Sequence, residues 1–383
     1  MYLLEHDAKQ LLARHNIPAP QGCLLTQSTE VTALPAGPWV VKGQITAGGR
    51  GKAGLIKKAD SAAAVSARAA DIIGKSAKGR TVNAVRVEQQ VHNASEAYIA
   101  MMLDPAAAGV RVIMAAQGGM EIEALPRDAL KTASAAPDVA ALTAAAEKLA
   151  ASFPGAAGKA LAEAGRAIAA AFLAEEALLI EINPLFIKAD GSWLAGDAKF
   201  VTDDSALPRQ AAQHALLKDV CGAYLETTLK DAHGCDYVVV DPQGEIALLT
   251  TGAGLSMMLI DEMRGAGLKP YNFLDIRTGG LRGETKRLVN VLNWMREGKN
   301  VKVLLINIFA GITELGEFSR LLVSALKDVP EFKVPVVARL VGNGMEAARE
   351  VLAEAGITLH NDLDAALVEV RGHLQAANRG AQQ

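Results

Sequence analysis

Cysteine is scarce. Cys23, Cys221 and Cys235 make an odd count with no paired spacing, which excludes a disulfide framework and predicts a reducing compartment. Histidine is sparse too. His6, His15, His92, His214, His233, His360 and His373 are scattered, and none stands in a glycine-framed loop beside a carboxylate, so each reads as surface or core filler. With the cysteines equally bland, the chain shows no convincing nucleophile of its own. Basic excess is missing: 39 Lys+Arg against 42 Asp+Glu leave a net charge of −3, which argues against a nucleic-acid surface. No uninterrupted apolar run approaches the roughly 20 residues that a membrane span needs. The first residues, Met1 to Asp7, lack the basic region of a signal peptide and are too acidic for a transit peptide. A cytoplasmic location is therefore expected.

What is present is a long, half-apolar chain. With 383 residues, 50% hydrophobic and 21% charged, it predicts two or three globular domains with their own cores. Leu4, Ala8, Leu11 and Leu12 fall at helical spacing, and Pro18 and Pro20 are expected to stop that helix. A strand at Trp39 to Val41 runs through Lys42 into Ala47-Gly48-Gly49-Arg50-Gly51-Lys52-Ala53-Gly54, where four glycines in eight residues predict a glycine-rich hairpin able to approach a ligand closely. Ala59 to Ala70 reads as helix, and Val82 to Val91 and Tyr98 to Leu103 as strands of a mixed sheet. From Pro126 to Glu176 alanine dominates and predicts helices. Two strands, Leu178 to Leu185 and Ser192 to Phe200, are expected around the turn Lys188 to Gly191. After a charged helical linker up to Cys235, strands and helices alternate through Ala355, which predicts a parallel, doubly wound sheet.

Three constellations carry chemistry. Lys42 with the glycine loop suits nucleotide phosphates, because backbone N–H groups can meet phosphate oxygens while lysine supplies charge; the loop lacks the Gly-x-x-x-x-Gly-Lys-Ser/Thr pattern. The alternative for the loop alone is a solvated hairpin tip. Glu181-Ile182-Asn183-Pro184 places Glu181 and Asn183 on one strand face, with Asp197 on the returning strand able to reach them. Such oxygen donors resemble a magnesium site; a polar sheet face open to water is the alternative. Thr250-Thr251-Gly252-Ala253-Gly254-Leu255 and Asn307-Ile308-Phe309-Ala310-Gly311-Ile312-Thr313 each follow a strand with glycine. A helix beginning there can hold a phosphoryl group or a carboxylate, at the strand ends where open α/β sheets bind ligands.

Together with Leu4-Glu5-His6-Asp7-Ala8-Lys9-Gln10-Leu11-Leu12 and Asn272-Phe273-Leu274-Asp275, these segments resemble the β subunit of succinyl-CoA synthetase and its relatives, malate–CoA ligase and citryl-CoA synthetase. The resemblance runs nearly end to end and is poor only near 126–176. It implies an ATP-grasp fold in two subdomains over residues 1–230 and a flavodoxin-like, doubly wound CoA-ligase domain over 231–383. By resemblance, Lys42, Gly49, Arg50 and Gly51 hold nucleotide phosphates, and Glu88, the backbone of Val91 and Glu96 contact the adenosine end. Asn183 and Asp197 bind Mg2+, and Glu181 orients a phosphohistidine arriving from an α subunit that also supplies most of the CoA site. Thr251, Gly252, Ala253 and Gly254, with Gly311, Ile312 and Thr313, meet the phosphate and the acid. The implied assembly is an αβ or α2β2 heteromer acting on a small-molecule acid, with ATP expected rather than GTP, a choice with which Pro20 is compatible, and CoA as co-substrate. Thr251 replaces an asparagine usual in the succinate enzymes, Thr313-Glu314 replaces valine-arginine, and Ile276-Arg277-Thr278-Gly279-Gly280 replaces a glycine run. The resemblance therefore supports phosphoryl transfer more strongly than succinate itself, and a paralogue that binds nucleotide and a partner without turnover stands as the rival.

Overall fold

In a computed structural model, residues 1–26, 34–119, 122, 125–218, 222–277, 283–311 and 313–380 are described. Cys221, Ile312 and the run Thr278-Gly279-Gly280 lie outside them. The chain divides into two units, Met1–Tyr224 and Leu225–Gln383.

The first unit opens with α1 (Glu5–Ala13), and Leu4, Ala8, Leu11 and Leu12 are all buried as their spacing predicts. The helix ends ahead of Pro18: Asn16 takes φ 58° and the Ile17 N–H returns to the Leu12 carbonyl at 3.2 Å, a left-handed stop. Four antiparallel strands follow, β1 (Gly22–Thr26), β2 (Trp39–Gln44), β3 (Ile56–Ala59) and, after α2 (Ala62–Ile72) and the small hairpin β4 (Ser76–Ala77) and β5 (Arg80–Thr81), β6 (Ala84–Gln89). Their order is β1-β6-β2-β3. Val41, Val85 and Val87 turn into a core shared with Val65 and Ile72 of α2. Strand alternation then puts Lys42, Arg86 and Glu88 on the opposite face.

A larger sheet holds β7 (Ala94–Asp104), β8 (Gly109–Ala115), β9 (Lys131–Ala135), β10 (Ala177–Lys188), β11 (Trp193–Ala195) and β12 (Lys199–Thr202), in the order β11-β10-β7-β8-β9 with β12 also on β10. Helices α3 (Val139–Ala150) and α4 (Gly155–Ala174) cover it, burying Leu142, Leu161, Ile168 and Phe172 against Ile99, Met101, Met114 and Ile180. Gly165 permits their close approach, since a Cβ there would meet the Ala146 Cβ at 2.6 Å. The short α5 (Ala211–Ala215) follows.

Two expectations are corrected here. The alanine-rich stretch is not helical throughout: Lys131–Ala135 forms the edge strand β9, where pairing with β8 overrides alanine's preference. The expected returning strand is also broken. β11 pairs with 185–187 of β10 and β12 with 177–181, with the break at Gly196-Asp197-Ala198. β10 itself shifts register between Ile182 and Leu185, where Pro184 lacks a ladder N–H. Gly196 fits against that irregularity because a Cβ would lie 2.4 Å from the Phe186 ring.

The second unit has α6 (Leu225–His233), then β13 (Asp236–Val239), β14 (Ile246–Thr250), α7 (Ala253–Gly265), β15 (Asn272–Asp275), α8 (Lys286–Arg296) and β16 (Val303–Ala310). It continues with α9 (Leu315–Asp328), β17 (Val336–Gly342), α10 (Met345–Glu354), β18 (Leu359–His360) and α11 (Leu363–Gly380). The parallel sheet β14-β16-β17-β18 is doubly wound: Leu304, Ile306 and Ile308 face α8, α9 and α10, whereas Val303 and Leu305 face α7 and α11. The antiparallel pair β13–β15 stands beside β14. There the buried Asn272 amide bonds both the N–H and the C=O of Leu248, each at 2.9 Å, and so imitates a neighbouring strand. α8, β15, β18 and α11 go beyond the elements the sequence predicts.

Candidate active site

The polar face of β2 and β6 meets α1 and the break after β11, and an almost wholly buried charge cluster results. Lys42 Nζ donates to Glu5 Oε1 at 2.9 Å and to the Gly196 carbonyl at 2.7 Å, and is paired with Glu88. Its three N–H groups are thereby all engaged. Lys9, one turn after Glu5, reaches Glu5 at 2.7 Å, Glu88 at 2.9 Å and the same Gly196 carbonyl at 2.9 Å. Arg86 Nε donates to Glu88 at 2.7 Å. Arg50 turns inward from the glycine loop, with Nη1 2.7 Å from Glu5 Oε2 and Nη2 gripping both Asp197 oxygens at 2.6 and 2.8 Å. Four cations thus stand against three carboxylates, one positive charge in excess.

Burial alone would raise the Glu5 carboxyl, but Lys42, Lys9 and Arg50 hold it well below its usual range. Glu88 is lowered likewise, against its own burial, by Lys9 and Lys42. Burial opposes charge on Lys42, yet Glu5 and Glu88 raise it, whereas for Lys9 burial wins and the ammonium is lowered. The signs set a pH dependence. The lowered carboxylates contribute stability that is full above their unfolded value of about 4.5 and is lost as pH falls through the folded values. The raised Lys42 contributes at every pH below about 10.5 and loses that contribution only in alkali. The urea midpoint of the chain is therefore expected to fall from pH 5 toward pH 3, with a shallower fall in the charge-balanced variant Glu5→Gln/Lys9→Met; an identical acid dependence in that variant would refute the assignment.

The glycine loop closes the β2–β3 hairpin, with Gly49 and Gly54 at φ 83° and 68°. Gly51 is open to solvent, with no atom within 4 Å of where a Cβ would stand. Arg50 lies buried beneath. Asp197 occupies the break between β11 and β12 rather than a returning strand, and its carboxylate faces Arg50. Glu181, half-buried on β10, has Lys199 at 3.8 Å. Asn183 Oδ1 accepts the Gly119 N–H at 2.7 Å, and a Cβ on Gly119 would collide with the Glu96 carboxylate, so Asn183 and Glu96 converge there. Val91 is half-buried just past β6. A cavity of about 480 Å³, in the range of a small-molecule site, borders the cluster through Lys9 and Arg86 and is also lined by His6, Gln10 and Pro20.

Sequence reasoning passed over Glu5, Lys9 and Tyr2. For the first two a signal existed: opposite charges at i and i+4, each adjoining an apolar residue of the α1 stripe. Tyr2 carried none. Its phenol stands near Arg50, Asp197 and Glu181, and burial above all, despite Arg50, pushes it up to about 12.

In the second unit the two glycine turns differ. At α7, Gly252 takes φ 86° with no side-chain cap, its N–H donates to Asp275 at 2.9 Å, and Gly252, Ala253 and Gly254 are exposed beside a half-buried Thr251. At α9 the helix start is already filled: the Glu314 carboxylate accepts the Gly316 and Glu317 N–H groups at 2.9 and 2.6 Å, and those backbone bonds lower it. Gly311 before it is exposed and Thr313 half-buried. Arg277 at φ 51° is half-exposed and pairs with Asp236 at 2.6 Å.

Residues 2–187 match the ATP-grasp domain family and residues 249–371 the CoA-ligase family. The β subunit of succinate–CoA ligase [ADP-forming] of Chloroflexus aurantiacus is 37% identical, covering 98% of this chain and all of that one. The chain belongs to the succinate–CoA ligase β-subunit family. A second member, the subunit beta 2 of Archaeoglobus fulgidus, is 35% identical over 92% of this chain and 93% of that one. The fold agrees with ATP citrate lyase of Methanothrix soehngenii, solved with citrate and coenzyme A, at a TM-score of 0.72 and 18% identity over 94% of this chain and 95% of that one. The family and the ATP-grasp plus CoA-ligase architecture expected from the motifs therefore hold for this β-type chain. Among its described residues no helix is long and apolar enough to cross a membrane.

Proposed function

We propose that this chain is the β subunit of a cytoplasmic, ADP-forming acid–CoA ligase, which binds ATP rather than GTP and exchanges phosphoryl with a histidine of a partner α subunit. The observation that carries the reading is the convergence of Lys42, Arg50 and Asp197 beneath the glycine loop in a chain whose relatives are named as β subunits. Residues 1–230 supply the nucleotide half and 231–383 the CoA-ligase half of the β chain, in an αβ or α2β2 assembly.

The moving phosphoryl carries dispersed charge, so positioning and electrostatics suffice for its transfer. Lys42, Arg50 and the backbone of Gly49 and Gly51 take phosphate oxygens; Glu88, Val91 and Glu96 border the adenosine end. Asn183 and Asp197 offer the hard oxygen donors magnesium prefers, and the ion would neutralise phosphate charge there. Glu181 orients the incoming histidine. The uncapped start of α7, Thr251 to Gly254, receives the phosphate when the partner presents it, with Gly311, Ile312 and Thr313 toward the acid.

Thr251 at α7, and Glu314 filling the start of α9, are departures at the two turns assigned here to the phosphate and the acid. The acid is succinate or, given these departures, malate, another dicarboxylate or a sulfonated acid. A screen of dicarboxylic, hydroxy and sulfonated acids with the partner chain, MgATP and CoA is expected to give CoA-dependent ADP release with one class. No release with any acid would favour a paralogue that binds without turnover.

A further inference from the structure

Two charged residues of α1 have no part in the reading above. Glu5 and Lys9 are 3% and 4% exposed, where a charged side chain is costly unless paired. Glu5 divides its oxygens: Oε1 takes Lys9 and Lys42 at 2.7 and 2.9 Å, and Oε2 faces Arg50 at 2.7 Å. One carboxylate thus ties the strand lysine to the arginine of the glycine loop. The other carboxylate on Arg50, Asp197, has a side chain 32% exposed against 1% for Glu5. An incoming anion can take the place of the partly exposed Asp197 on Arg50, whereas Glu5 is buried among its cations.

We propose that Glu5, held by Lys9, is a positioning residue of the nucleotide site, fixing Lys42 Nζ and the Arg50 guanidinium relative to one another so that a polyphosphate meets a preformed cationic pair. This rests on the reading of Lys42 and Arg50 as phosphate ligands. Glu88 alone does not substitute for it: Glu88 reaches Lys9, Lys42 and Arg86, whereas the ion pairs of Arg50 are with Glu5 and Asp197 and its Nη1 also donates to the Gly43 carbonyl at 3.3 Å.

The test is MgADP binding to the full chain by calorimetry, with urea unfolding alongside. Glu5→Gln alone raises the cluster's excess from one positive charge to two and can unfold the chain, so the decisive variant is Glu5→Gln/Lys9→Met, which removes one charge of each sign. It is expected to unfold near the wild-type urea midpoint and to bind MgADP about ten- to a hundredfold more weakly, the usual loss when an outer partner of a ligand residue is removed. Glu5→Asp, which keeps the charge but withdraws it by one methylene, is expected to stay folded with a similar loss. Wild-type affinity in either variant overturns the proposal while leaving the nucleotide reading intact. Failure of the wild-type chain to bind MgADP overturns both.

Discussion

Lys42→Met is expected to lower nucleotide-dependent phosphoryl transfer about 10²- to 10³-fold, the usual cost of removing a preorganised charge at a transferring group. The same substitution strips a cation from two buried carboxylates, Glu5 and Glu88, and is expected to cost about 3 kcal/mol of stability. Both effects are read on one preparation, by ADP release with the partner chain and by the urea midpoint. Lys42→Arg separates them: it restores charge beside Glu5 and Glu88, but a planar guanidinium cannot repeat the converging bonds to Glu5, Glu88 and the Gly196 carbonyl. Recovered stability without recovered transfer is the expected result. Full transfer by the methionine variant would remove Lys42 from the site.

Asp197→Asn is expected to act in opposite directions with and without magnesium. It removes the only anionic member of the proposed metal pair, so MgADP affinity falls at least about tenfold, or about 1.4 kcal/mol. It also frees Arg50 from the carboxylate that grips it at 2.6 and 2.8 Å, leaving a guanidinium fork open to phosphate. Metal-free ADP is then expected to bind no more weakly than to wild type. Calorimetry with MgCl2 and with a chelator distinguishes the cases, and equal loss in both would mean that Asp197 only supports the loop.

Much of the fold was legible because the periodicities are strong. The α1 stripe, the strands through Lys42 and at Ile246 to Thr250, and the alternation of the second unit all follow from spacing. Lys131–Ala135 escaped because five small or polar residues at a sheet edge owe their strand state to β8 alone. β15 is short, and what secures it is the buried Asn272 amide, which no apolar pattern announces. The broken strand at Gly196-Asp197 lies opposite the irregularity at Pro184 of β10, where the Gly196 N–H meets the Pro184 carbonyl at 2.9 Å, a pairing that no local pattern shows.

The site divides similarly. Glycine and lysine announced the loop, but that Arg50 turns inward to Glu5 and Asp197 depends on a helix about forty residues earlier and a break well over a hundred later. Equally, the glycine of Gly311-Ile312-Thr313 announces an anion-binding turn, but only the structure shows that the Gly316 and Glu317 N–H groups beyond it are bonded to Glu314. Local pattern finds donors; only the fold shows which are already taken.

Under the proposed function this chain carries the nucleotide half of a reaction whose nucleophile lies on its partner. The most direct measurement is to incubate both purified chains with MgATP labelled at the γ-phosphate and locate the label. An acid-labile, alkali-stable phosphohistidine on the partner, with none on this chain, is the predicted result. Label on a residue of this chain, or an unlabelled partner while nucleotide is bound, would contradict it.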